Sequence, residues 1–120
     1  MKRYKVTVTT NASGVATAYT PRVSGELVQI EYVKTDFENG VDFTITDEAT
    51  GKNLWVENDV NASAMRSPRA PTHTTAGVAS LYAASGVAVN DRIGLANTRV
   101  KIAIASGGNV KSGTFHVLVA

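Results

Sequence analysis

The sequence predicts an all-β protein: an antiparallel β-sandwich, jelly-roll-like, of about eight strands in one domain spanning residues 1–120. Three observations predict it. Apolar residues recur with period two from end to end, as in Val41-Asp42-Phe43-Thr44-Ile45-Thr46, Val28-Gln29-Ile30-Glu31-Tyr32 and Val100-Lys101-Ile102-Ala103-Ile104. Side chains along a strand point to alternate faces, so each run describes a ribbon with one dry face and one wet one. Turn signals recur every 8 to 12 residues, the spacing of sandwiches and jelly rolls. Thr and Val are plentiful whereas Leu and aromatic residues are sparse, which suits a pleated, half-buried surface.

The elements follow in order. Arg3 to Thr10 reads as a strand with Tyr4, Val6 and Val8 on one face, and Asn11-Ala12-Ser13-Gly14 as a turn. Val15 to Thr20 reads as a second strand with Val15, Thr17 and Tyr19 inward, ended by Pro21. Gly25 to Asp36 is the longest candidate. Asn39-Gly40 is a strong hairpin signal, so Val41 to Asp47 is expected to pair back on it. After a turn around Gly51, a short strand spans Leu54 to Glu57. It contains the single tryptophan, Trp55, which alternation sets opposite Leu54 and Val56, either outward or at the rim of the core. Asn58 to Gly77 has no sustained period and reads as a long loop, a feature uncommon in compact domains and often functional. Val78 to Tyr82 resumes as a strand, Ala83 to Asn90 is ambiguous, and Ile93-Gly94-Leu95 leads into the next strand. Arg99 to Ala105 and Thr114 to Val119 are expected to form a last hairpin around a glycine-rich loop.

One domain of 120 residues buries enough surface to fold without a metal or cross-link. There is no cysteine, which fits folding in a reducing compartment. The basic N-terminus runs straight into a strand with no apolar signal segment behind it, and no run approaches a membrane span. A net charge of +2 is too small to argue for nucleic acid. Neither nucleic acid nor membrane is expected as a partner.

No catalytic constellation is legible. The two histidines, His73 and His116, have no serine elbow near them, and zinc ligation lacks its donors. The oxygen clusters that calcium would need, Asp36, Glu38 and Asn39, and Asp47 and Glu48, read as turn residues. Neither catalytic residues, metal nor cofactor is expected. The contact candidates are Arg66 and Arg69 flanking Pro68 in the long loop, with His73 in the same loop, the N-terminal Lys2 and Arg3, and Trp55. On this reading, deleting Ser63 to Thr72 spares the fold and abolishes partner binding.

The stretch Asn39-Gly40-Val41-Asp42-Phe43-Thr44-Ile45-Thr46-Asp47, with the later Arg99-Val100-Lys101-Ile102-Ala103-Ile104-Ala105-Ser106-Gly107-Gly108-Asn109-Val110-Lys111-Ser112-Gly113-Thr114, resembles small β-sandwich accessory virion proteins of tailed bacteriophages, of the head decoration or cement type. The resemblance covers most of the chain beyond Gly25. It implies a non-enzymatic structural role on the capsid surface after synthesis in the host cytoplasm, with the major capsid protein as partner. A homotrimer would match capsid axes. The alternative is a glycan- or receptor-binding module of the virion or tail, which needs Trp55 or Tyr82 exposed on a flat patch.

Overall fold

The computed structural model describes all 120 residues, and strands are its only regular elements. They are β1 (Lys2–Thr9), β2 (Ala16–Tyr19), β3 (Val23–Lys34), β4 (Val41–Asp47), β5 (Asn53–Val60), β6 (Ala64–Arg66), β7 (Arg69–Pro71), β8 (Asn90–Thr98), β9 (Val100–Ala105) and β10 (Ser112–Val119). One sheet runs β1-β10-β3-β8-β7, with β6 also on β3; the other runs β2-β9-β4-β5. All pairings are antiparallel.

This order is that of a chain folded in half and then rolled. The pairs β1/β10, β2/β9, β3/β8 and β4/β5 form one long nested hairpin, and rolling adds β10/β3 and β9/β4. That is a jelly roll of eight strands, to which β6 and β7 are added between β5 and β8. The expected sandwich is therefore present, with ten strands rather than eight.

Two expected hairpins are not hairpins. β3 and β4 lie in different sheets, as do β9 and β10. A turn signal specifies a reversal of direction, not which sheet receives the next strand. After β3 the buried Phe37 plugs the end of the sandwich, stacked on Tyr32, and Gly40 at φ +89° donates its N–H to Asn61 Oδ1. Those contacts carry the chain across to the other layer. β4 and β5 do form a hairpin, around residues 48–52.

The core is filled from both layers. Tyr32, Phe43, Trp55 and Phe115 form a cluster of rings in edge-to-face and stacked contact, with centroids 4.7 to 6.5 Å apart. Such pairs add to simple area burial. Aliphatic residues such as Leu27, Ile30, Ile45, Ile102 and Val117 fill the space around them. The Tyr32 hydroxyl is buried without a hydrogen-bond partner, and its pKa is pushed up to about 12, first by burial and then by Asp36.

Two assignments of face are corrected, the first by a register irregularity. In β5, Ile45 opposes Trp55 and Thr46 opposes Asn53, so Leu54 is an extra residue in a bulge. The bulge turns Trp55 and Leu54 both inward, and Trp55 is only 6% exposed instead of facing out. In β2 it is Ala16 and Ala18 that pack on the core, whereas Val15 and Tyr19 are exposed. Arg99 lies 4.1 Å over the Tyr19 ring and shields its face.

Gly25, at φ +137° beside a register shift between β3 and β8, is required by space as well as by backbone angle. A Cβ there would run into the carbonyl oxygen of Ala120, which also sits in hydrogen-bond reach of Glu26 N–H. Truncating Phe115 to Ala should cost about 3–5 kcal/mol in denaturant unfolding, because its ring touches both sheets. Gly25→Ala should lower the unfolding midpoint far more than Gly51→Ala, whose Cβ would meet open space.

Candidate functional site

The segment read as one long loop, 58–77, is in fact the end of β5, then β6 and β7. The positive φ of Asp59 (59°) and its N–H bond to Asp42 Oδ1 mark a second bulge in β5, which masks the strand period. β6 and β7 have three residues each, too few to show any period. Ala64 and Ala70 pack against the core, so removing Ser63 to Thr72 would cut into the body rather than spare it.

The arginines singled out in this segment are occupied within the chain. Arg66 Nε and Nη2 donate to Glu57 Oε1 and Oε2 at 2.9 and 3.0 Å, and its guanidinium lies 5.6 Å over the Trp55 ring. Trp55 Nε1 donates to the same Glu57 Oε1 at 3.0 Å. This group ties β5 of one sheet to β6 of the other. Arg69 Nη1 donates to the carbonyls of Val28 and Pro68, holding the β6–β7 corner with half-buried Pro68 against β3. Lys2 and Arg3 lie on β1, the outer edge of the larger sheet, with Arg3 paired to Glu31 at 3.4 Å. Of the predicted contact residues, His73 alone lies beyond β7, where the chain leaves the sheet.

From Pro71 to Asn90 the chain has no Lys, Arg, Asp or Glu, although charged residues make up 18% of the whole. Residues 72–89 leave the sheet as an arm and return. No residue between Val60 and Ile93 belongs to the buried core cluster. In place of the expected strand at Val78–Tyr82 there are two isolated bridges, His73 to Ala79 and Leu81 to Ala88. The arm is nevertheless ordered by its own backbone. Thr72 N–H bonds to Val89 O, Val89 N–H to Ser80 O, and Ser80 N–H to Thr72 O, at 2.8 to 3.0 Å. Three segments thus close a ring of hydrogen bonds. Beyond it, tight turns reverse the chain at Thr74–Val78 and Tyr82–Val87.

The arm presents apolar side chains to solvent: Val78, Leu81, Tyr82 and Val87, with Tyr82 73% exposed. They are four of the eleven exposed large hydrophobics of the chain. Exposed apolar side chains gathered on one segment make it a candidate contact site, and a preordered segment loses less entropy on docking. The signal that could have revealed it was in the sequence: twenty uncharged residues interrupting a charged chain.

Two depressions remain. One is polar, about 370 Å³, between the loops at one end of the sandwich, with Ser13, Glu38, Asn39, Ser106 and Asn109 around it. The other is apolar, about 320 Å³, over the β3–β6 pairing, lined by Tyr32, Val33, Ala64 and Met65 with Glu31 and Ser63. No group of three or more His, Asp or Glu converges as a metal site. His116 lies between Lys5 and Glu31 on the outer face of the larger sheet, its Nδ1 buried without a partner.

No protein-family profile matches the chain, and no curated protein does. Among solved structures, FLHE aligns over 97% of this chain and 94% of its own, at 10% identity and a TM-score of 0.43. A likeness at that level carries no argument about function.

Hydrogen bonds from Arg66, then from Trp55, hold the Glu57 carboxyl below its ordinary pKa, and Arg99 does the same for Glu48. A carboxylate with a depressed folded-state pKa adds stability that is complete above the unfolded value, about 4.3, and is lost as pH falls through the folded value. Thermal melts should therefore show wild-type stability falling more steeply below that pH than in Glu57→Gln. Arg66→Ala should cost only about 0.5 kcal/mol at neutral pH, since its side chain is 44% exposed and its ion pair is screened by solvent.

Proposed function

We propose that this protein is a structural, non-enzymatic virion component, a capsid decoration (cement) protein of a tailed bacteriophage that docks on the major capsid protein through the arm at residues 72–89. The observation that carries the reading is the uncharged, prefolded, apolar arm on a jelly roll whose own core is already filled. The arm contributes nothing to that core, so Leu81, Tyr82 and Val87 are free to be buried by another molecule. The likeness of the strand and turn pattern to accessory virion proteins supports the major capsid protein as that molecule.

The physics of such a role is simple. A part that binds the assembled shell and not its dispersed subunits stabilises the shell by mass action. A small apolar arm gives weak single contacts, and repetition over many linked sites turns weak contacts into firm attachment.

A second reading rests on Tyr82 and on the polar depression around Asn39 and Asn109. An exposed ring and clustered amides are the means by which a sandwich holds a sugar, which would make the protein a glycan- or receptor-binding module. Trp55, buried, no longer contributes to it. Glycan-array binding that is lost in Tyr82→Ala would favour this reading over decoration.

Thr72 and Val89 are backbone partners, so residues 73–88 can be replaced by Asn-Gly to leave a closed two-residue hairpin. The replacement should keep the circular dichroism spectrum and the melting temperature within a few degrees. It should no longer co-sediment with heads stripped of the protein, whereas Arg66→Ala should still do so. Undiminished co-sedimentation of the hairpin variant would eliminate the arm as the docking element.

A further inference from the structure

We infer that the polar depression between the loops at one end of the sandwich is a binding site for a single sugar ring, held by hydrogen bonds alone. This site rests on the glycan-binding reading, to which it gives a pocket and a class of ligand; docking through the arm does not depend on it.

Three loops meet at the depression: residues 11–14 after β1, 38–39 after β3 and 106–109 after β9. Their backbones are fastened to one another. Gly107 N–H bonds to Gly14 O and Glu38 N–H to Gly107 O, each at 3.0 Å, and Thr10 Oγ1 donates to Gly108 O at 2.7 Å. Gly14 and Gly108, at φ +77° and +96°, bring the loops closer than side chains would allow. A Cβ on Gly14 would stand 3.0 Å from Gly108 N, and one on Gly108 would strike the Glu38 side chain at 2.7 Å. Ser106, on the same rim, is held at φ +57°, an angle that is costly for a non-glycine residue and collects at ligand sites. A frame fixed in advance loses little entropy when a ligand arrives.

The backbone is committed to these contacts, whereas the side chains are not. Glu38 makes no ion pair or hydrogen bond through its carboxylate, and the side chains of Ser13, Ser106 and Asn109 make no hydrogen bond within the chain. Asn39 uses only its Oδ1, which accepts from Lys34 Nζ at 2.5 Å.

These groups specify the ligand. Hydroxyls, amides and a carboxylate together donate to and accept from adjacent hydroxyl groups, which a sugar ring presents. Only one of the eight lining residues, Ala12, is apolar, so an apolar ligand has nothing to bury against. No Lys or Arg lines the depression, and Glu38 repels an anion. A calcium-like cation draws on several carboxylates, and here there is one. The volume of about 370 Å³ lies near the lower end for ligand pockets, which suits one ring rather than a chain of them. No aromatic ring lines it, so binding is weak and set by the polar groups.

Heteronuclear NMR titration of the isotope-labelled full chain tests this with D-glucose, D-galactose, D-mannose and N-acetyl-D-glucosamine, against sodium acetate and calcium chloride. At least one sugar should shift the backbone amides of Ser13, Glu38, Ser106 and Asn109 saturably. Asn109→Leu should bind that sugar about tenfold more weakly, the cost of leaving polar groups unmet. The double variant Ser13→Leu/Asn109→Leu should not bind it. Both side chains are exposed, so unchanged melting curves will show that the variants are folded. Equal shifts at the same amides from acetate or calcium overturn the ligand class. No binding of any sugar removes both the site and the glycan-binding reading. Binding that is lost in Tyr82→Ala but undiminished in the double variant keeps that reading and removes the site.

Discussion

The aromatic cluster of Tyr32, Phe43, Trp55 and Phe115 is the contact on which this fold depends. Tyr32 and Phe115 come from one sheet, Phe43 and Trp55 from the other. Of the links joining successive strands of the jelly roll, only β4–β5 stays within a sheet as a hairpin. Neither layer is thus a locally assembled meander that could wait for its partner. Each becomes a sheet when strands distant in sequence meet over shared rings.

A body organised in this way uses its alternating residues internally. The side chains of Arg66 and Arg69, which looked available in the sequence, are spent on the same task. They fasten the added strands β6 and β7 to β5 and β3 through Glu57 and the Val28 carbonyl. The chain that departs from the sandwich altogether takes no part in that task. The arm contributes nothing to stability by packing, keeps its shape through backbone bonds, and exposes the apolar groups that a soluble domain ordinarily hides.

The fold was legible in the sequence because a period of two survives wherever strands are regular. β1, β4, β9 and β10 follow it closely, and their core faces are as the alternation sets them. It failed where a residue is inserted. One extra residue at Leu54 reversed the apparent direction of Trp55, and the bulge at Asp59 made the end of β5 look like loop. Strands of three residues leave no period to read. The arm was less legible, since the charged residues of the preceding irregular segment carry the more conventional contact signal. The informative property of the next stretch was that it had none, while the small residues around Val78 and Val87 imitate a weak strand.

The pairing of β1 with β10 has a bearing on how the chain is made. Lys2 lies opposite Val119 and Thr9 opposite Ser112, so β1 has no in-sheet neighbour until residues 112–119 have been made. Closing so large a loop is slow compared with forming local structure. Lys2, Arg3 and Lys5 set like charges along that unpaired strand, which disfavours its pairing with β1 of another copy.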